Sequence, residues 1–335
     1  MKSTNPVNTP ETGRDLTLMS VIARFSTEEA AIQYFEQVRW PDGPCCPHCG
    51  NADQERIYKL TANRKRKVRA GLYKCAECRD TFTVRVGTVM EDSHVPLNKW
   101  IIGFYMMCAS KTQISALQLQ RQLEIGSYNT ALFLCHRIRF ALMDMFPGDM
   151  LGGTVEADET YIGGKVRGKG RAYKKNKFPV VSLIERGGQV RSHVVDTVTG
   201  KAITQLLRDN VADTARLNTD ESPVYETAGK SFASHDTVNH HEEEYARFDR
   251  NTGRTATTNT VEGFFGNSKR SIDGTHHHIS RKHADLYFAE LDHKYNTRKV
   301  SDGERTVIGI KQMEGKRLML RTPKNGNAEV LNESE

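Results

Sequence analysis

Apolar residues recur along the chain with different periods, and each period predicts a different kind of element. Residues 1–16 are polar and carry two prolines, as a loose tail does. From Leu16 to Trp40 the spacing is helical: Ser26-Thr-Glu-Glu29 offers a start, and Ile32, Phe35 and Val38 share one face. Pro41-Asp-Gly-Pro44 breaks it. From Cys46 to about Met90 short β-like runs take over, such as Thr81-Phe-Thr-Val-Arg-Val86. Helical spacing then returns in Leu97–Ala109, Ser115–Leu123 and Tyr128–Met145, with Gly126 in the last turn. Three helices so arranged suit a helix-turn-helix, a pattern that DNA readers share with purely structural bundles.

Beyond Gly152-Gly153 the pattern changes again. Thr154–Ile162, Phe178–Glu185 and Gln189–Val195 predict strands, the last two joined by a hairpin at Gly187-Gly188. Thr199–Val211 predicts a helix, Arg216–Thr219 a short strand ending at Asp220, and Thr258–Ser271 and Arg281–Lys294 two more helices. Strands followed by helices predict a mixed α/β domain. From Gly303 the chain is polar apart from the island Val307–Ile310, which reads as a tail or small appendage. A chain of 335 residues exceeds one ordinary core. The expected division is 1–95 for the first helix and the cysteine-bearing segment, 96–148 for the helices, 149–305 for the mixed domain and 306–335 for the tail.

Composition narrows the partners. A formal net charge of +7 favours polyanions, although many ordinary proteins are as basic. No strongly amphipathic basic helix stands out, so nucleic acid is preferred to a membrane surface. No apolar run approaches the roughly 18–20 residues that span a bilayer. The polar N-terminus does not have the form of a signal peptide, so an intracellular protein is expected.

Seven cysteines, four of them in Cys46-Pro-His-Cys49 and Cys75-Ala-Glu-Cys78, argue for a metal rather than for disulfides. A two-residue spacer lets one tight turn present two thiolates to one ion, and two such knuckles complete the tetrahedron of structural zinc. Four protein ligands leave no open position for chemistry. Cys45 and His48 lie beside the knuckles as non-ligands, and Cys108 and Cys135 as buried thiols. Between the knuckles, Arg64-Lys-Arg-Lys-Val-Arg69 is either a solvated hairpin tip or a finger whose Arg64, Lys65, Arg66, Lys67 and Arg69 contact phosphates.

Acids stand on three of the predicted elements. Glu156-Ala-Asp158-Glu-Thr lies on a predicted strand, with Glu156 and Asp158 on one face and Glu159 on the other. Asp220 ends a strand, and Glu262 shares a helical face with Lys269, nearly two turns on. Carboxylates so carried could hold two magnesium ions for phosphodiester cleavage, but by spacing alone the signal is weak, since an acid at a strand end is more often a cap or surface residue.

Longer motifs add to this. Val155-Glu-Ala-Asp158-Glu-Thr-Tyr-Ile-Gly-Gly-Lys165 resembles the first catalytic motif of insertion-sequence DDE transposases with an N-terminal zinc ribbon, the ISXO-like group. Thr258-Asn-Thr-Val-Glu262-Gly-Phe-Phe-Gly-Asn-Ser-Lys269, Gly274-Thr-His-His-His-Ile-Ser280 and Tyr295-Asn-Thr-Arg298 are similar to its later motifs. Upstream, Cys46-Pro-His-Cys49-Gly, Gly87-Thr-Val-Met90, Pro96-Leu-Asn-Lys-Trp100 and His136-Arg-Ile-Arg139 fit in order. The resemblance spans roughly 20–300 and implies an RNase H-like catalytic domain behind a zinc ribbon and helices. It implies Asp158 and Asp220 as the first two metal ligands. The third position varies between Glu and Asn in this group, leaving Glu262 and Asn259 open; charge and the step to Lys269 favour Glu262.

The implied cofactors are structural zinc and catalytic magnesium, for which manganese can substitute. The implied partners are double-stranded DNA, as terminal inverted repeats and target, and further copies of the chain in a homodimer or larger assembly at the nucleoid. Arg137 and Arg139 on the third helix, Lys165, Arg167 and Lys169 in the loop after Asp158, and Arg270 beside Lys269 are the further expected DNA contacts. A DNA-binding regulator descended from such an enzyme and an RNase H-like nuclease are the competing expectations.

Overall fold

A computed structural model of the chain describes residues 13, 14, 16–63, 65, 66, 68–144, 148–164, 176–239, 246–250, 253–319, 329 and 330. The chain divides into two compact units, Met1–Met143 with Lys299–Glu335 and Asp144–Arg298. No helix among the described residues is long and apolar enough to cross a membrane.

In the first unit, helices α1 (Leu18–Arg24) and α2 (Glu28–Arg39) each start after a threonine. The Thr17 hydroxyl accepts from the Ser20 N–H and that of Thr27 from the Ala30 N–H, so each helix has a donor satisfied at its start. Strands β1 (Ile57–Lys59), β2 (Tyr73–Cys75) and β3 (Thr81–Phe82) pair antiparallel in that order. The last strand ends four residues earlier than the Thr81–Val86 run suggests. The chain turns there, and the Arg85 guanidinium donates to the Ser93 and Val95 carbonyls while pairing with Glu28. Helix α3 (Leu97–Ala109) buries Trp100, Ile101, Phe104 and Met107. Pro96 has no side chain with which to cap it, and the Glu28 carboxylate instead accepts from the Leu97 N–H at 2.6 Å.

Helices α4 (Ala116–Gln122) and α5 (Tyr128–Leu142) pack together, and α5 also meets α3. The turn that closes α4 depends on Glu124, at φ 50°, rather than on Gly126. The Ile125 and Glu124 N–H groups fold back to the Gln120 and Arg121 carbonyls, a Schellman closure. Helix α5 stops at Leu142, where the Lys316 ammonium donates to the Ala141 and Met143 carbonyls.

The second unit holds a five-stranded sheet. Strands β4 (Thr154–Ile162), β5 (Phe178–Glu185) and β6 (Val190–Val194) form an antiparallel meander. Helix α6 (Gly200–Asn210) crosses to β7 (Arg216–Asp220), parallel to β4, and the short α7 (Glu226–Gly229) leads to β8 (Ser234–Val238), parallel to β7. The order β6-β5-β4-β7-β8 is the RNase H-like arrangement. A separate hairpin of β9 (Ala246–Asp249) and β10 (Arg254–Thr257) precedes the helices α8 (Asn259–Thr275) and α9 (Ala284–Asn296). Strand alternation sorts the core. Ile162, Phe178, Val180 and Ile184 join Phe264, Phe265 and Phe288 of α8 and α9, whereas Val155, Ala157, Val181 and Leu217 join Ile203 and Leu207 of α6.

One half-buried acid lies on the α9 side of this sheet. Both Asp292 oxygens accept from Ser192, from its N–H at 2.8 Å and its hydroxyl at 2.7 Å. Burial pushes its carboxyl up to about 7. The folded state therefore binds the proton more tightly than the unfolded one, and stability falls as pH rises from about 4 to 7. The loss is on the order of 4 kcal/mol. Thermal melts of Asp292→Asn, which keeps a carbonyl for Ser192, are expected to lack this part of the pH dependence and to exceed the parent in Tm at pH 8.

The island Val307–Ile310 does not lie in a tail. It is the inner face of helix α10 (Asp302–Lys311), which packs on α3 and buries Val307 and Ile310. Ser301 and Glu304 close a capping box at its start. The polar residues that flank the island are the cap and outer face of this helix.

Candidate active site and metal centre

Each Cys-x-x-Cys knuckle ends in a left-handed residue, Gly50 at φ 75° and Arg79 at φ 67°. The turns bring four sulfurs together, all within 4.8 Å of one another. Cys46 and Cys78 are 3.6 Å apart, and Cys49 and Cys75 3.8 Å. A zinc ion bound at about 2.3 Å by four sulfurs requires a tetrahedron edge of about 3.8 Å, so the cluster fits zinc. The Cys78 backbone N–H helps pull the Cys75 thiol down to about 6, toward the ligating thiolate. Cys45 stands outside the cluster against the Gly50 carbonyl, and Cys108 and Cys135 are buried elsewhere.

The second constellation is acidic. The parallel register of β4 with β7 pairs Glu156 with Asn218, and two residues further this brings Asp158 abreast of Asp220. Asp158 accepts the Glu159 N–H at 2.7 Å, and Asp220 the Ser222 N–H at 3.1 Å. Burial, then the negative charges of Glu159, Asp220 and Glu262, push the Asp158 carboxyl up to about 7. Glu262, one turn into α8 and half-buried, accepts the Thr258 hydroxyl at 2.8 Å, whereas Asn259 opens the helix exposed to solvent. The carboxylate oxygens do not converge as the four sulfurs do. Ligands shared between two metal ions roughly 3.5–4 Å apart need not meet at one point. Glu159 points to the other side of β4, as alternation requires, where it accepts the hydroxyl of buried Tyr225 at 2.9 Å.

Sequence reasoning placed Glu156 beside Asp158 but gave it no role. It is fully buried, and its carboxylate accepts from the Thr260 N–H at 2.8 Å, the Val261 N–H at 3.2 Å and the Thr260 hydroxyl at 2.9 Å. Arg186 donates to it twice, at 2.9 and 3.1 Å. Thr258, at the N-cap of α8, spends its hydroxyl on Glu262, so a carboxylate from β4 takes over the cap and faces the positive end of the helix dipole. The strand that carries Asp158 thereby fixes the helix that carries Glu262. Only the acid's place on the Asp158 face, near a helix start, could have suggested this. Glu156→Ala would leave two helix N–H groups and Arg186 without their acceptor, an expected loss of about 3 kcal/mol by denaturant unfolding. Glu156→Gln is expected to lose less, since one oxygen remains.

Residues 150–296 match the model of the ISXO2-like transposase domain, and residues 26–81 that of the transposase zinc-ribbon domain. The chain carries an ISXO2-like transposase domain behind a transposase zinc-ribbon domain. A protein of the transposable element ISH50 of Halobacterium salinarum, itself uncharacterized, is 29% identical over 249 residues, covering 69% of this chain and 80% of that protein. The Mos1 transposase in its paired-end complex with the left transposon end is 12% identical and aligns with 59% of this chain and 76% of that one. Its TM-score is 0.20, a likeness too slight to argue from.

The structure places the expected DNA contacts unevenly. Lys65, Arg66 and Arg69 are exposed on the hairpin between β1 and β2, where Asn63 and Val68 bridge; Arg64 and Lys67 lie outside the described residues. Lys165, Arg167 and Lys169 also lie outside them. Lys269 and Arg270 are exposed on α8, with Arg270 donating to Asn267. Arg137 and Arg139 are not on the surface as a DNA contact requires: they are 7% and 1% exposed, and Arg137 stacks on Phe133 at 4.4 Å. Two residues apart, they point to different sides of α5, but that helix is buried all round from Leu134 to Leu142, and its exposed part is its first turn, Tyr128 to Thr130. The three histidines do not converge on one point. His276 packs edge-on against Tyr287, and His277 bonds the Asp273 carbonyl.

Proposed function

We propose that this transposase cuts and joins DNA at the ends of its insertion sequence, with Asp158, Asp220 and Glu262 holding magnesium. The observation that carries this is the grouping of the three acids: Asp158 is half-buried and feels the charge of both others, with no cation bonded to it among the described residues. Glu262 is preferred to Asn259 as the third ligand because it is the one whose charge reaches Asp158. Bound magnesium, or manganese in its place, would activate the attacking oxygen and stabilise the leaving one. The residues' own part is to keep three hard oxygen donors in place before DNA arrives, through β4, β7 and the α8 cap.

In the first step water attacks phosphorus, the bond to the 3′-oxygen breaks, and a 3′-hydroxyl and a 5′-phosphate result. In the second that 3′-hydroxyl attacks a target phosphodiester and releases a target 3′-hydroxyl. Lys269 lies two turns after Glu262 to hold a phosphate, the Lys65, Arg66 and Arg69 hairpin grips backbone, and the first turn of α5 reads the end. Joining two ends calls for two or more copies of the chain, working at the nucleoid.

The test is incubation with magnesium and DNA carrying the element's terminal repeat. Products in which the end's 3′-oxygen is joined to target DNA are expected. Cleavage of branched or hybrid DNA without joining would replace this reading by a nuclease, and tight binding without cleavage by a regulator.

A further inference from the structure

Asp220 lies on the side of the sheet that α8 covers: Asn218, two residues earlier on the same face, donates to the Thr257 carbonyl at the foot of that helix. Strand β7 is thinly supported here. It pairs with β4 only from Arg216 to Asn218, whereas β8 accompanies it as far as Asp220. The acid therefore stands where one of its two neighbouring strands has left the ladder. A strand end held from one side splays more readily, and a metal ligand tolerates displacements of only about 0.5 Å.

Alternation turns Leu217 and Thr219 the other way, toward α6 and α7. Thr219 is fully buried, and its hydroxyl donates to the Asp220 carbonyl at 2.7 Å. The parallel register sets His235 of β8 beside Leu217, diagonal to Thr219, and its Nε2 lies 2.9 Å from the same hydroxyl oxygen. A hydroxyl has one proton and a carbonyl can only accept, so the proton between histidine and threonine comes from the ring. His235 thus donates through Nε2–H to Thr219, which donates to Asp220. The far side of the ring rests on α7, where a Cβ on Gly229 would stand 2.0 Å from Nδ1. Valine would fill the place of Thr219 as well, among the apolar neighbours Leu217 and Tyr225. Polar groups kept in such a place cost desolvation, and when fully satisfied they fix one geometry.

We propose that His235 is a positioning residue for Asp220: through Thr219 it fixes the peptide that follows the acid, and Gly229 leaves room for the ring to do so. This rests on the reading of Asp220 as a metal ligand and adds what holds it. The Ser222 N–H anchors one Asp220 carboxylate oxygen at 3.1 Å. The chain from His235 anchors the backbone of the same residue. With both fixed, Asp220 stays abreast of Asp158 although β4 no longer pairs beside it.

The test is a titration of the full, zinc-loaded chain with manganese, reading the free ion by electron paramagnetic resonance. The parent is expected to bind manganese at the acids and Asp158→Asn to lose that binding. Thr219→Val and His235→Leu should each weaken it about tenfold, the effect expected of groups that orient a metal ligand. Thr219→Ser keeps the hydroxyl and should bind as the parent does. Gly229→Ala should behave like His235→Leu, although it removes no hydrogen-bonding group. Thr219→Val and His235→Leu combined should bind no more weakly than either alone, since both cut one chain. Parent-like binding in either single variant would overturn the proposal. So would about a hundredfold loss in the double variant, the mark of two separate injuries to the fold, or a Thr219→Ser no better than Thr219→Val. A parent that binds manganese no better than Asp158→Asn is a different failure, which removes the metal-holding reading of the acids and the proposal with it.

Discussion

Asp158→Asn is expected to abolish strand transfer while leaving zinc content and binding to paired DNA unchanged. Loss of a residue that merely orients a metal ligand costs roughly 10–100-fold, so loss of a ligand itself should exceed about 100-fold. Asparagine keeps the volume and one oxygen for the Glu159 N–H, so the β4 backbone has no reason to move. The same change should raise Tm in metal-free buffer at pH 8. Asp158 is held ionised there against burial and the charges of Glu159, Asp220 and Glu262, and an uncharged amide removes that repulsion. Falling activity with rising stability separates an acid kept for chemistry from one kept for the fold. Glu262→Gln should follow Asp158→Asn, and Asn259→Ala should stay near the parent, because the Asn259 side chain lies exposed a turn before the acid that reaches Asp158. Retained strand transfer in Asp158→Asn would end the catalytic reading.

How much of this was legible in the chain depended on where each signal lived. The knuckles were legible because ligand chemistry and turn geometry are both local. Strands β4 to β7 were legible because their alternation or apolar runs are long enough to see. Strands β8 and β10 were not: Ser234–Val238 and Arg254–Thr257 are short and mostly polar, and they are strands because β7 and β9 offer them an edge. Helix α10 was hidden for a related reason, since four apolar positions look like an island until α3 is there to receive them. At the site, Asp158 and Asp220 could be named from motifs, but the Glu156 cap joins residues more than a hundred positions apart, and no local period records such a bond. Arg137 and Arg139 show the opposite failure, in which a basic pair looked like a DNA contact and the helix turned it inward.

Removing zinc is expected to cost the ribbon its fold. Strands of three, three and two residues cannot hold themselves together, and the rings beneath them are Trp40, Tyr73 and Phe82, with Ile57 of β1 buried as well. Tyr73 and Phe82 stack at 5.5 Å, with Trp40 edge-on to both at 5.6 and 5.7 Å. Burying three such rings contributes about 5–9 kcal/mol, against about 10–16 kcal/mol from zinc in comparable small sites. The metal term is the larger, so Cys75→Ser or prolonged chelation should lose zinc and the near-ultraviolet signature of the three rings together. The damage should spread to the end of α2, where Arg39 donates to the Val84 and Val86 carbonyls and Glu36 pairs with Lys59 at 2.7 Å. Binding to paired DNA should weaken at least tenfold, because Lys65, Arg66 and Arg69 lose the rigid hairpin that presents them together. Cys45→Ser is the control: its sulfur lies outside the cluster, and one zinc per chain should remain. A chelated protein whose aromatic signature stays intact would show that the three rings suffice and that zinc only decorates a ribbon already folded.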